Sequence, residues 1–255
     1  MSAHTIVYEY PFNERIRTYL RLEHLLLRLI RLMEREDALD HHHALLVIFE
    51  LMEVGARSDL KSDIMKDIDR QRAVLNGYRG NPAISEQLLD RLVAQLDAQF
   101  EALHAQAGKP LQPLHEDDWL MTVRSRISIP GGTCSFDLPA YHAWQNASAG
   151  DRLQDLQRWT QAFAVFADPV FLLLRLLREG GHTQRMLAVA GSLQQNLPQS
   201  RSYQLMRLEL DASLQRVPEI SANRLIVSVR MMKRNAEHHM QPCNEDCSFD
   251  LTLCA

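Results

Sequence analysis

Residues 5–35 read TIVYEYPFNERIRTYLRLEHLLLRLIRLMER, and a change of period inside this stretch sets the architecture. From Thr5 to Tyr10 the chain alternates, with Ile6, Tyr8 and Tyr10 against Val7 and Glu9, and Pro11 stops it. That is the pattern of a short strand. From Asn13, a suitable N-cap, the period becomes helical. Leu22, Leu26, Leu29 and Met33 then share one face. Arg17, Arg21, His24, Arg28, Arg31 and Arg35, spaced 4, 3, 4, 3 and 4, share the opposite one. Arg17/Arg21, Arg28/Arg31 and Arg31/Arg35 are like-charge neighbours, each costing an isolated helix roughly 0.2–0.5 kcal/mol. An acidic partner would offset that cost.

More helices follow. Asp40 is expected to open a second, with Leu45, Ile48, Phe49 and Met52 inward and Gly55 as its stop. Ser58 is expected to open a third with Leu60, Ile64, Ile68 and Leu75 at helical spacing. A fourth runs from Ser85 to about Ala105, and a fifth, short one covers roughly His115 to Ile127. Glu116, Asp117 and Asp118 at its start, with Arg124 and Arg126 at its end, suit the helix dipole. Pro130-Gly131-Gly132 reads as a type II turn. Two further helices are expected over Leu138–Gln145 and Phe163–Arg178, the last closed by Gly180-Gly181.

Beyond Gly181 alternation takes over. Met186–Leu193, Tyr203–Ala212, Arg224–Met232 and Ser248–Leu253 read as antiparallel strands, with loops around Pro198 and Pro218. Thr5–Tyr10 needs strand partners and is expected to find them here. The fold class is α+β: an N-terminal strand, a large helical domain over 12–180, and a β-domain made of 4–10 plus 183–254.

Composition narrows the function. With 46% hydrophobic residues the chain is not disordered. A net charge of −4 argues against a general nucleic-acid binder, so any basic site is local. Only four of the 28 basic residues are lysine, leaving guanidinium forks matched to carboxylates and phosphates. The N-terminus has no charged leader with an apolar h-region, and the most apolar run, Ala162–Leu177, is too short to span a bilayer. A cytoplasmic chain with no membrane contact is the expectation.

Several constellations invite chemistry. Cys134 or Ser135 with Asp137 and His142 supplies the residue types of a hydrolase triad, but triad members usually come from separate elements. No catalytic residue is assigned. His41, His42 and His43 point about 100° apart on a helix, cannot chelate one ion, and read as a solvated first turn. Cys243, Cys247 and Cys254 lack CxxC spacing despite nearby His238 and His239, so no metal or cofactor is expected.

With these residues in view, the chain resembles the ZapD family of bacterial division-ring proteins. The resemblance rests on Pro11-Phe12-Asn13-Glu14 with Arg17-Thr18-Tyr19-Leu20-Arg21-Leu22-Glu23. It rests equally on the tract from Val123-Arg124-Ser125-Arg126 through Ile129-Pro130-Gly131-Gly132 to Cys134-Ser135-Phe136-Asp137-Leu138-Pro139. It implies a cytoplasmic homodimer at the mid-cell division site. That dimer would bind the C-terminal tail of FtsZ, the tubulin-like division GTPase, and bundle its filaments. Arg17, Arg21, Arg124, Arg126, His142 and Arg230 match basic positions of the family's pattern, and Arg28 belongs to the same helical stripe. Asp118 departs from that pattern. The alternatives are a non-catalytic adaptor for another acidic peptide and, behind it, a hydrolase using Cys134 or Ser135.

Overall fold

Asn13 Oδ1 accepts a hydrogen bond from the Ile16 amide at 2.9 Å and so starts the basic helix as an N-cap. The computed structural model describes residues 4–57, 59–106, 108–199 and 201–255. In it the chain forms two units, Thr18–Leu173 and Met1–Arg17 with Leu174–Ala255. The boundary falls inside α1 (Glu14–Met33) and inside α9 (Ala164–Glu179).

The Thr18–Leu173 unit is helical. After α1 come α2 (Ala38–Gly55), α3 (Leu60–Gly77), α4 (Glu86–Ala105), α5 (Gln112–His115), α6 (Asp118–Ile127), α7 (Pro139–Gln145) and α8 (Ala149–Thr160). Its core follows the apolar spacing: Tyr19, Leu22, Leu26 and Leu29 of α1, Leu45, Ile48, Phe49 and Met52 of α2, and Ile64 and Ile68 of α3 are all buried. Tyr19 donates to Asp67 at 3.0 Å, which ties α1 to α3. Ser85 caps α4, its hydroxyl accepting from the Leu88 amide.

Several boundaries differ from expectation. Asp37 caps α2, accepting from the Leu39 amide at 2.7 Å, so Asp40 lies in the first turn. The Ser58 start lies outside the described residues; α3 begins at Leu60. The fifth helix is two, because Asp117 takes an extended backbone and caps α6, its carboxylate accepting from the Leu120 amide at 2.8 Å. Arg35 falls beyond the end of α1 and leaves the stripe. α8 was not expected at all, having only Leu153, Leu156 and Trp159 as large apolar residues. With a short 3-10 turn it continues into α9, and Ala149–Glu179 is long and apolar enough to cross a bilayer by length and composition, with 44% of its apolar window buried. Leu156, Trp159, Phe163, Phe166 and Val170 of that run are buried.

The other unit is a pair of antiparallel sheets. One has the order β1 (Thr5–Pro11), β4 (Leu205–Asp211), β8 (Cys247–Cys254), β2 (His182–Ala188). The other has β3 (Ser192–Asn196), β6 (Ile226–Arg234), β5 (Val217–Ala222), with β7 (Met240–Pro242) pairing β6. The N-terminal strand joins the C-terminal sheet as expected, Thr5 opposite Asp211 and Pro11 opposite Leu205. Met206, Leu208 and Leu210 from one sheet and Val227, Val229 and Met231 from the other meet in one core, the period of two sending alternate residues outward.

Two strand expectations are corrected. Met186–Leu193 is broken into β2 and β3 by a turn in which Gly191 has φ +72°, and a Cβ there would collide with the Cys243 carbonyl. Pro218 lies within β5 rather than in a loop; β5 is an edge strand, where a missing N–H is tolerated.

Candidate functional site

The stripe on α1 is exposed from Arg21 to Arg31 and half-buried at Arg17, and its members are unequally free. Arg21, His24 and Arg31 are exposed and make no ion pair among the described residues. Arg28 Nη2 meets Glu50 Oε1 at 2.6 Å, and both side chains remain over two-fifths exposed. Arg17, in the β-containing unit, is paired with Glu14 at 3.1 Å within the first turn of α1.

On the helical unit a second cation meets the same helix. Arg124 Nη2 of α6 lies 3.5 Å from Glu53 of α2. Glu50 and Glu53 are three residues apart, neighbours on one face of α2. Arg28 from α1 and Arg124 from α6 are therefore drawn to one acidic strip. Exposed pairs of this kind contribute about 0–1 kcal/mol each and are screened by salt, so an incoming carboxylate competes for them at small cost.

Arg126 and His142 stand on either side of a tightly bonded turn. The Ile129 amide donates to Arg126 O and the Gly132 amide to Ile129 O, each at 2.9 Å, and Gly131 has φ +70°, as a type II turn demands. A Cβ on Gly132 would sit 2.5 Å from Arg126 O, so only glycine admits this approach. The His142 amide donates to Leu138 O at 2.9 Å, seating α7 on the same segment. Both Arg126 and His142 are exposed with no side-chain partner among the described residues.

An aromatic cluster ties α6, α7 and α8 together. Trp119 stacks on Trp159 with centroids 5.3 Å apart, and Tyr141 stacks on Trp144 at 5.8 Å. Burial alone would raise the Asp117 carboxyl, but bonds from the Leu120 amide, the Trp159 indole at 2.8 Å and Arg158 hold it below the usual carboxylate range. Tyr141 is buried, which pushes its hydroxyl pKa up, and that hydroxyl lies 2.5 Å from His42 Nδ1.

The three histidines are not a solvated turn. His41 is 1% exposed and accepts a hydrogen bond at Nδ1 from Arg152 Nε at 3.0 Å, His42 is half-buried, and only His43 is open. Arg152 is itself buried. Its other donors reach Gln145 O at 3.1 Å, Glu36 O at 2.7 Å and Ala147 O. The missed helix α8 carries this residue, and no sequence pattern marks an arginine whose partners are backbone carbonyls.

Cys134 is exposed and the other three cysteines are buried. No hydrogen bond links the side chain of Cys134 or Ser135 to Asp137 or His142 among the described residues. Nor does any group of three His, Cys, Asp or Glu side chains among them suit a metal ion.

The β-containing unit has cations of its own. Arg230 is exposed at the middle of β6, across from Ser192 and Glu219. Arg15, Arg201 and Arg224 line a cleft of about 730 Å³ together with Phe12 and Tyr203. These three arginines come from separate segments and follow no period, so sequence reading passed over them.

A family model described as ZapD, cell division protein, matches residues 20–230. The chain is 43% identical over 250 residues to the cell division protein ZapD of Janthinobacterium sp. (strain Marseille), covering 98% of this chain and 99% of that protein. It is 46% identical, with the same coverage, to the cell division proteins ZapD of Ralstonia pickettii (strain 12J) and Ralstonia nicotianae (strain ATCC BAA-1114 / GMI1000).

Proposed function

The chain belongs to the ZapD family of cell division proteins, and from that premise we propose that it binds the C-terminal tail of FtsZ and, as a homodimer, bundles FtsZ filaments. Its place is the cytoplasmic face of the division site, and its work is non-catalytic. In this reading the helical domain (12–180) and the β-domain (4–10 plus 183–254) are the two bodies of an adaptor. Arg17, Arg21, Arg28, Arg124, Arg126, His142 and Arg230 are its partner-binding residues.

The observation that carries the reading is a set of basic side chains left open on a chain of net negative charge. Arg21, Arg126 and His142 have no internal partner among the described residues, and Arg28 and Arg124 hold only exposed ones. Arginine matches carboxylate geometry with two parallel donors. A flexible acidic tail would be steered to such a surface and bound weakly. Two copies in a dimer then turn the second tail contact into a local event, raising avidity by roughly 10²–10⁴. Crosslinking needs nothing more.

Pelleting of polymerised FtsZ with and without the protein tests this. The wild type should sediment with filaments, filaments lacking the tail should not carry it down, and raised salt should weaken the effect. Arg21→Ala should lower tail affinity while the fold and oligomer persist. Equal sedimentation with tail-less filaments would sink the tail assignment and favour an adaptor for another acidic peptide.

A further inference from the structure

Phe136 is 82% exposed, more than any other large apolar side chain among the described residues. The loop that presents it cannot easily tuck it away. Asp137 and Leu138 amides both donate to Cys134 O at 3.0 Å, and the Cys134 amide donates to Gly131 O at 3.1 Å. Buried Leu138 on one side and buried Val123 of α6 on the other anchor the segment. Ile129, at the head of the same turn, is also exposed.

The same frame holds Arg126 and His142. An exposed aromatic side chain on the bonded segment that joins Arg126 to His142 has the composition of an interface centre, where aromatics and arginine are enriched. Because the loop is already bonded, a partner orders little of it on binding, and the apolar contact is retained in salt that screens the charges. Arg126 and His142, exposed on the same bonded segment with no side-chain partner among the described residues, offer donors to a carboxylate-bearing peptide.

We propose that Phe136 is the apolar anchor of the partner site: an acidic peptide segment binds here by setting a bulky apolar side chain against Phe136 while its carboxylates reach Arg126 and His142. This rests on the reading of Arg126 and His142 as partner-binding residues.

The test is a fluorescence anisotropy titration of the full-length protein with a labelled FtsZ C-terminal tail peptide at low and raised salt. Phe136→Ala should weaken binding roughly tenfold to a hundredfold, the loss expected when a Phe-sized contact goes. Its salt dependence should stay as steep as in the wild type, whereas Arg126→Ala should flatten it. Phe136→Leu should keep most of the affinity. A tail peptide with its bulky apolar residues changed to alanine should lose a similar factor, with no further loss on Phe136→Ala. Wild-type affinity in Phe136→Ala would overturn the anchor alone, as would a shift of the monomer–dimer balance in that variant. Failure of the wild type to bind the tail at either salt would overturn the tail reading and the anchor with it.

Discussion

Arg152 and Arg126 lie in the same helical unit and share a side chain, yet they are put to opposite uses. Arg152 is 5% exposed, and its guanidinium is spent on three carbonyls and the His41 ring. Arg126 is exposed in the last turn of α6, where its carbonyl accepts from the Ile129 amide, and its side-chain donors have no partner among the described residues. A cation whose donors are mostly taken up internally is a structural rivet, and one denied partners is a docking point. Burial and partner supply decide which, not residue type.

The largest expected effect comes from breaking the rivet. Arg152→Ala removes the donors to the part-buried carbonyls of Glu36, Gln145 and Ala147 and to the buried His41 ring, and should cost about 2–4 kcal/mol. Thermal melting should register a drop of roughly 5–15 °C. Tail binding measured well below the melting point should persist. A melting temperature within a degree or so of wild type would show that the buried network contributes little.

A smaller effect should follow from pH. Burial lowers the pKa of both His41 and His42 below the ordinary 6.5, with Arg152 adding to it at His41 and His43 at His42. The unfolded chain therefore binds more protons than the folded one below that value, and stability rises with pH there. It is fully present above about pH 6.5 and is lost as the pH falls toward the folded-state values. Melting temperature should decline between about pH 7.5 and about pH 5.5. In His41→Gln/His42→Gln the decline should be shallower, and an identical slope would place the proton uptake elsewhere.

The smallest effect sharpens the other side of the contrast. Glu50→Gln with Glu53→Gln removes the carboxylates that Arg28 and Arg124 now meet. Pairs this exposed contribute about 0–1 kcal/mol, so melting should barely move. Tail affinity should rise roughly twofold to fivefold as the guanidiniums are released. Unchanged or weakened binding would argue that α2 does not border the site.

The helical core was legible because Leu22, Leu26 and Leu29, or Leu45, Ile48 and Met52, repeat at a spacing that only one backbone geometry converts into a buried face. The N-terminal strand was legible for the same reason, its period of two ending at Pro11. What escaped were elements whose cause is not periodic. α8 carries too few apolar residues to register, and β5 contains a proline that only its edge position excuses. The β2–β3 turn depends on the approach of Gly191 to Cys243, some fifty residues away. Among the candidate site residues, the exposed face of α1 was readable, but the pairing of Arg17 with Glu14 and of Arg28 with Glu50 was not.

Taken alone, the order of residues determined the α+β class, the inward faces, the capping of α1 by Asn13 and the existence of a basic stripe, because each follows from local geometry repeated along the chain. Only the folded structure decided which cations are sealed and which stay open, and that Phe136 stands in solvent on the segment between Arg126 and His142. Those outcomes depend on groups far apart in the chain, such as Arg152 with Glu36 and Arg124 with Glu53, and contacts of that range are set by packing, which no local period encodes.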